Sequence, residues 1–79
     1  MCARLHCRSR SEWSAEITAC EDLGTNLVTF RFAASTTREV RWSHLSWIKL
    51  RRPEGARGVA RDLVGRFKVP GGDVGCDRS

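Results

Sequence analysis

The 79-residue chain lacks several features that mark large classes of protein. It contains no apolar run near the ~18 residues that a membrane-spanning helix needs, so no transmembrane segment is predicted. Residues 1–8 carry charge but no apolar h-region, which predicts no secretory signal and favours cytoplasmic or nuclear residence. Tyrosine is absent, so Trp and Phe supply every aromatic ring. A chain of this length forms one domain with a thin core.

The sequence also lacks a Cys-x-x-Cys pair, which argues against a structural zinc site. The four cysteines are Cys2, Cys7, Cys20 and Cys76. An even number in a short chain permits two disulfides in three possible pairings. Because no secretory signal is predicted, we expect free thiols. The spacing of the cysteines predicts no metal site, and no cofactor is expected.

The net charge of +5 comes entirely from the second half of the chain. Residues 1–37 contain four Arg and four acids, whereas residues 38–79 contain ten Lys and Arg and five acids. Arg outnumbers Lys twelve to two, and Arg is well suited to bidentate phosphate contacts and to stacking. This balance favours a nucleic-acid partner. The alternative is a GC-rich coding sequence, which raises Arg, Ala and Gly together without any function.

Alternating apolar residues predict a meander of short antiparallel strands. Residues 12–20 are the most regular segment, with Trp13 and Ile17 on one face. Residues 27–33 and 38–42 alternate in the same way, and turn-rich segments separate the three runs. The three runs together predict a small curled sheet.

The flanks of this region complete the predicted organisation. Leu5 and Cys7 begin either a first short strand or a frayed arm. A last short strand is predicted at residues 47–51, with Ile48 and Leu50 pointing inward. We therefore predict a mainly β fold, a small SH3-like antiparallel barrel of four or five strands with one short C-terminal helix. The predicted parts are an arm or first strand (1–11), the barrel (12–52), an amphipathic helix (54–69) and a flexible tail (70–79).

The predicted helix at residues 54–69 has its own apolar arc. Val59, Leu63 and Phe67 are spaced by four, which places them on one face. Two glycines weaken such a helix, so it forms only if this arc docks on the sheet or on a partner chain. The second alternative predicts a structural or adaptor protein that docks through these three residues.

Three segments carry a resemblance to a known family: Trp13-Ser-Ala15-Glu-Ile17, Leu27-Val28-Thr-Phe30 and Val40-Arg-Trp42-Ser-His-Leu45-Ser-Trp47-Ile48. Their order resembles the strands of Tudor-like domains, in particular the Tudor modules of Polycomb-like chromatin proteins. Such modules bind methylated Lys or Arg in a cage of aromatic rings. The resemblance implies a methyl-peptide reader with a cage formed by Trp13, Phe32 and Trp42. The alternative is that these rings, which share the inward parity, belong to the core.

A basic face is predicted beside the barrel's last strands. On the predicted strand at residues 47–51, Trp47 shares the outward parity with Lys49 and Arg51. Cations around one exposed ring suit contact with a phosphate backbone and stacking on a base. The alternative is a solvated face that keeps a small domain in solution. The candidate nucleic-acid-binding residues are Arg38, Arg41, Trp47, Lys49, Arg51, Arg52, Arg57 and Arg61.

Catalysis is not expected from this sequence. The spacing of the available reactive side chains selects no nucleophile, base or metal arrangement. These side chains are Cys7, Cys20, His6, His44, Glu16 and Glu39. The predicted function is therefore non-catalytic binding of nucleic acid or of a chromatin-type partner.

Overall fold

Five strands and two helices make up most of the residues that the computed structural model describes, which are 1–10, 12–32, 36–43, 45–69 and 72–78. The predictions for His44, for residue 33 at the end of the second predicted strand and for residues 70, 71 and 79 of the predicted tail lie outside these residues. In chain order the elements are β1 (Cys2–Ser9), β2 (Trp13–Cys20), β3 (Asn26–Phe32), β4 (Thr36–Trp42), α1 (Trp47–Leu50), α2 (Pro53–Phe67) and β5 (Val74–Arg78).

The described strands form one antiparallel sheet in the order β4-β3-β2-β1-β5. Strands β1 to β4 pair with their neighbours in sequence, and β5 returns after the helices to pair with β1. Among these strands β4 pairs with β3 alone and β5 with β1 alone, so both edges of the sheet are open. The predicted mainly β, antiparallel fold with a helix is confirmed, although β5 follows α2, so the helix is not C-terminal as predicted. The described strands do not close into the predicted barrel.

One face of the sheet forms the hydrophobic core. Leu5, Ile17 and Val28 lie side by side on β1, β2 and β3, and all three are fully buried. Burying an aliphatic side chain of this size contributes about 1.5–3 kcal/mol. The alternation predicted for residues 12–20 and 27–32 is therefore confirmed. The opposite face, which carries side chains such as Arg8 and Arg31, is exposed.

Helix α2 packs its apolar arc on this core. Val59 and Leu63 are buried, and the Phe67 ring stacks on Phe30 with 5.9 Å between centroids. Of the two alternatives for this arc, docking on the sheet is therefore the one observed. Val59 and Leu63 are covered within the chain, so they do not present a free surface to a partner.

The ends of α2 follow ordinary capping rules. Pro53 occupies the first turn, where its missing N–H costs no intrahelical bond. Lys68 takes a left-handed conformation with φ of 53°, and the N–H of Val69 donates to the Val64 carbonyl at 3.3 Å. The helix thus ends two residues earlier than predicted, at Phe67. In the described part of the chain, neither helix has the length and apolar character needed to cross a bilayer.

The strand predicted at residues 47–51 is wrong, because Trp47–Leu50 is the short helix α1. The indole N–H of Trp47 donates to the Ala19 carbonyl at 3.1 Å, and Leu50 is fully buried. These two residues are three apart and so share one face of a helical turn. Ile48, predicted to point inward, is instead 57% exposed. Periodicity cannot separate helix from strand over so short a run.

The predictions for the chain ends also need correction. Residues 2–9 form β1, a full-length strand between β2 and β5, so this segment is a first strand and not a frayed arm. The predicted tail contains β5, in which Val74 and Cys76 are buried against the rest of the molecule. Strand β5 is only five residues long and contains a glycine, so it has little pattern of its own. It is stabilised by pairing with β1, from which it is distant in sequence.

The prediction of free thiols is wrong as well. Disulfides join Cys2 to Cys20 and Cys7 to Cys76, and no described cysteine is free. Each pair occupies directly opposed positions in the register of β1, with β2 in one case and β5 in the other. Opposed residues of antiparallel strands are close enough for their sulfur atoms to meet.

We predict that Gly55→Ala lowers the free energy of unfolding by about 1–3 kcal/mol. A Cβ atom at this position would overlap the carbonyl oxygen of Lys49, where α1 meets α2. Gly58→Ala and Gly65→Ala are the controls, because a Cβ there meets nothing within 4 Å. In urea denaturation these two variants should gain up to ~1 kcal/mol. A Gly55→Ala variant as stable as the controls would contradict the close approach of the two helices.

We further predict that the two disulfides contribute unequally to stability. They close loops with sequence separations of 69 for Cys7–Cys76 and 18 for Cys2–Cys20. Loop-closure entropy then predicts a loss of about 4.4 kcal/mol when the longer loop is opened and about 3.2 kcal/mol for the shorter one. Double Cys→Ala variants of each pair, compared by chemical denaturation, measure this difference. Alkylation of the native chain without reductant should label no cysteine, and labelling would refute the pairing.

Candidate nucleic-acid interface

The eight predicted nucleic-acid-binding residues lie in three separate parts of the structure. Arg38 and Arg41 are on β4, an edge strand of the sheet. Arg57 and Arg61 are on α2. The remaining four, Trp47, Lys49, Arg51 and Arg52, lie on α1 and directly after it.

The two arginines of β4 point to opposite faces of the sheet. Arg41 lies on the open face, 3.8 Å from the carboxylate of Glu39. Arg38 lies on the helix side, with its guanidinium 5.2 Å from the centroid of the Phe67 ring. Both side chains therefore already interact within the chain, and they do not form one surface with each other.

The residues of α1 and its C-terminal end form a compact basic surface, which we call the α1 patch. Trp47 is half-buried, because its indole N–H is bonded to the Ala19 carbonyl. The Arg51 guanidinium lies over the Trp47 ring, with its Cζ atom 5.0 Å from the ring centroid. This arrangement differs from the exposed Trp predicted from strand parity. It presents a planar guanidinium backed by an indole ring, a surface on which a nucleic-acid base can stack. The α1 patch comprises Trp47, Ile48, Lys49, Arg51 and Arg52.

Lys49 and Arg52 border a shallow groove beside the α1 patch. The groove has a volume of about 650 Å³, and both cations are exposed. Neither forms an ion pair with a described residue, in contrast to Arg4, which is 3.1 Å from Glu16. The groove is lined by Ser46, Ile48, Lys49, Arg52, Glu54 and Gly55.

The same groove lies at the N-terminal end of α2. Arg52 is the N-cap residue, and its side chain forms no capping hydrogen bond there. The first N–H groups of a helix have no intrahelical acceptor and carry partial positive charge. Glu54 in the first turn is the acidic side chain among the lining residues. The lining residues therefore carry two cations and one carboxylate, next to the positive end of the α2 dipole.

Helix α2 extends the positive surface away from the groove. Arg57 and Arg61 follow Glu54 at spacings of three and four residues, which keeps them on one side of the helix. Arg61 is exposed. Arg57 is half-buried, and its Nε atom has no hydrogen-bond partner among the described residues.

The three rings predicted to form a cage lie apart. Trp13 and Phe32 oppose each other across β2 and β3, whereas Trp42 opposes Asn26 at the far end of β3. The length of β3 separates these positions by about 20 Å. Trp13 and Trp42 are only 3% and 7% exposed, and Arg66 stacks over the Trp42 ring at 5.0 Å. The structure thus buries Trp13 and Trp42 in the core, leaves Phe32 half-buried against it, and does not assemble the three rings around one point.

The reactive side chains considered for catalysis form no recognisable site in the described residues. The four cysteines are joined in disulfides. His6 lies on the open face of the sheet, with Glu16 opposite it on β2 and Asp77 opposite it on β5. Across residues 1–10, 12–32, 36–43, 45–69 and 72–78, no group of three His, Cys, Asp or Glu side chains is arranged to hold a metal ion.

Sequence reasoning missed Ser46, Ile48 and Glu54 as groove residues. The strand prediction placed Ile48 inward and separated it from the helix, so the three positions had no common surface. A helical turn at residues 47–50 brings Ile48 and Lys49 to the exposed side. Comparison with protein-family models, with curated proteins and with solved structures finds no match to this chain.

Proposed function

We propose that the protein binds nucleic acid non-catalytically through the α1 patch, with Arg57 and Arg61 extending the contact along α2. The observation that carries this proposal is the groove at which Lys49 and Arg52 are exposed and form no ion pair with a described residue. Cations that are not neutralised within the chain are the ones that can release counterions from a phosphate backbone.

The stacked pair of Arg51 and Trp47 favours a single strand over a duplex. Bases of a single strand are free to stack on an aromatic or guanidinium plane, whereas bases of a duplex are stacked on each other. The phosphates next to a stacked base would then face Lys49 and Arg52. In this arrangement the Arg51 guanidinium, backed by the Trp47 ring, supplies stacking and the groove supplies charge.

Two other functions predicted from the sequence remain proposals with less support. A Tudor-type reader of methylated Lys or Arg requires rings around one point and, for an SH3-like fold, a closed barrel. Trp13 and Trp42 are buried at distant positions, and the described sheet is open. An adaptor that docks through α2 would need Val59 and Leu63, which are buried in the core. Titration with methylated and unmethylated Lys and Arg peptides tests the first of these.

The compartment bears on how binding should be measured. A nucleic-acid partner agrees with the predicted cytoplasmic or nuclear residence, where thiols are kept reduced. The structure, however, contains two disulfides. Binding should therefore be measured on the oxidised chain and again after reduction, with folding followed in parallel.

The first test is reversal of charge at the groove. Lys49→Glu combined with Arg52→Glu should weaken binding of a labelled single-stranded oligonucleotide at least about tenfold, as followed by fluorescence anisotropy. Loss of two phosphate contacts should also reduce the slope of log K against log salt by about 1.4.

The matched control is Arg8→Glu combined with Arg31→Glu, which changes the net charge by the same amount on the opposite face of the sheet. Both arginines are exposed, and neither forms an ion pair with a described residue. The control variant should keep most of the affinity. Equal losses in the two variants would show that net charge, and not the α1 patch, drives binding, and would refute the proposed site.

A second test uses a variant that should raise the affinity for the oligonucleotide. Glu54→Gln removes the carboxylate that lines the groove, and the affinity for the same oligonucleotide should rise about twofold from lower Coulomb repulsion. Asp77→Asn on the open face makes the same change in net charge and should have a smaller effect. An unchanged or reduced affinity of the Glu54→Gln variant would argue against phosphate in this groove.

A further inference from the structure

Strand β4 is an edge strand whose outer side is open. It pairs with β3 through residues 36–42, and no described residue forms a backbone hydrogen bond to its other side. Natural edges are commonly protected by Pro, by bulges, by very short length or by charged side chains, and β4 carries charges in Arg38 on the helix side and in Glu39 and Arg41 on the open face. Strand β4 is seven residues long and contains no Pro. Its free backbone groups are therefore a template for another strand.

The side chains of β4 are self-complementary in one antiparallel register. If Val40 lies opposite Val40 of a second copy, Glu39 lies opposite Arg41 of that copy, and Arg41 lies opposite its Glu39. Opposed residues of neighbouring strands contact each other directly, and pairs of opposite charge stabilise the pairing. On the outer face the four side chains then alternate in sign.

Neighbouring registers lack this complementarity. Moving the centre to Glu39 places two carboxylates opposite each other, and moving it to Arg41 places two guanidinium groups opposite each other. Like charges directly opposite are destabilising. Each of these moves shifts the register by two residues. A register shifted by one residue, centred between two positions, would turn the side chains of one copy to the opposite face. The charge pattern therefore selects the register centred on Val40.

We infer that β4 pairs with β4 of a second copy of this chain to form a two-fold symmetric dimer. Such a contact is isologous, because the same strand contributes the same residues on both sides. The two five-stranded sheets would join into one continuous sheet with both helical layers on the same side. This inference is independent of the proposed nucleic-acid binding, because it uses neither the α1 patch nor α2.

The test is the oligomeric state of four forms of the full chain, measured by sedimentation equilibrium over a range of concentrations. The wild type should dimerise. Glu39→Arg alone and Arg41→Glu alone each place like charges opposite each other twice, and each should raise the dimer dissociation constant at least about tenfold. The double variant, with both charges exchanged, restores opposite charges and should dimerise like the wild type.

Mixing the two single variants gives the sharpest comparison. In a mixed dimer each arginine of the Glu39→Arg chain faces a glutamate of the Arg41→Glu chain, so the mixture should dimerise although neither variant does so alone. Glu12→Arg just before β2 and Arg31→Glu on β3 are the matched controls, since they make the same charge changes away from the edge strand, at exposed residues that form no ion pair with a described residue. Both controls should dimerise like the wild type.

Circular dichroism of every variant verifies that the sheet is retained. The side chains opposite Glu39 and Arg41 on β3 are Thr29 and Leu27, which are uncharged, so the exchanges create no opposed like charges within one chain. A wild type that remains monomeric at all concentrations overturns the inference. Single variants that dimerise normally, or a mixture that stays monomeric, overturn it as well.

Discussion

The pairing of β1 on both of its sides is the constraint on which the rest of the structure depends. This strand lies between β2 and β5, and both disulfides begin on it. Its register places Leu5 beside Ile17 in the buried row and Cys7 opposite Cys76. A slip of one residue would turn the buried side chains outward and separate the sulfur atoms. Because β5 is bonded to β1, this one strand also joins the two ends of the chain.

The position of α1 decides what the surface can do. One hydrogen bond, from the Trp47 indole to the Ala19 carbonyl, and the burial of Leu50 hold this turn at the end of the sheet. The close approach of Gly55 to the Lys49 backbone then sets how α2 leaves it. As a result Lys49 and Arg52 face one groove, and Arg51 covers the Trp47 ring. The chemistry of the α1 patch follows from this packing.

The charges of the molecule are used differently on its two sides. On the open face of the sheet, Arg4 and Arg41 are close to glutamates of the same face. These alternating charges suit pairing between strands. Arg8 and Arg31 on this face form no ion pair with a described residue, and neither do Lys49 and Arg52 on the helix side. Of these four cations, Lys49 and Arg52 border a groove beside the Arg51–Trp47 pair, which suits an anionic ligand. The net charge of +5 therefore says less about binding than the location of the cations that stay unneutralised.

The sequence by itself determined the core of the sheet and the apolar side of α2, because Ile17 and Val28 recur with a period of two and Val59 and Leu63 with a period of four. Such periods report burial directly over runs of seven residues or more. The strand β5, the disulfide pairing and the helical state of α1 were decided by tertiary structure. Strand β5 forms through bonds to distant β1, the cysteines meet only in the final register, and α1 is too short to show a period. The candidate site lies on α1, and so its geometry required the structure.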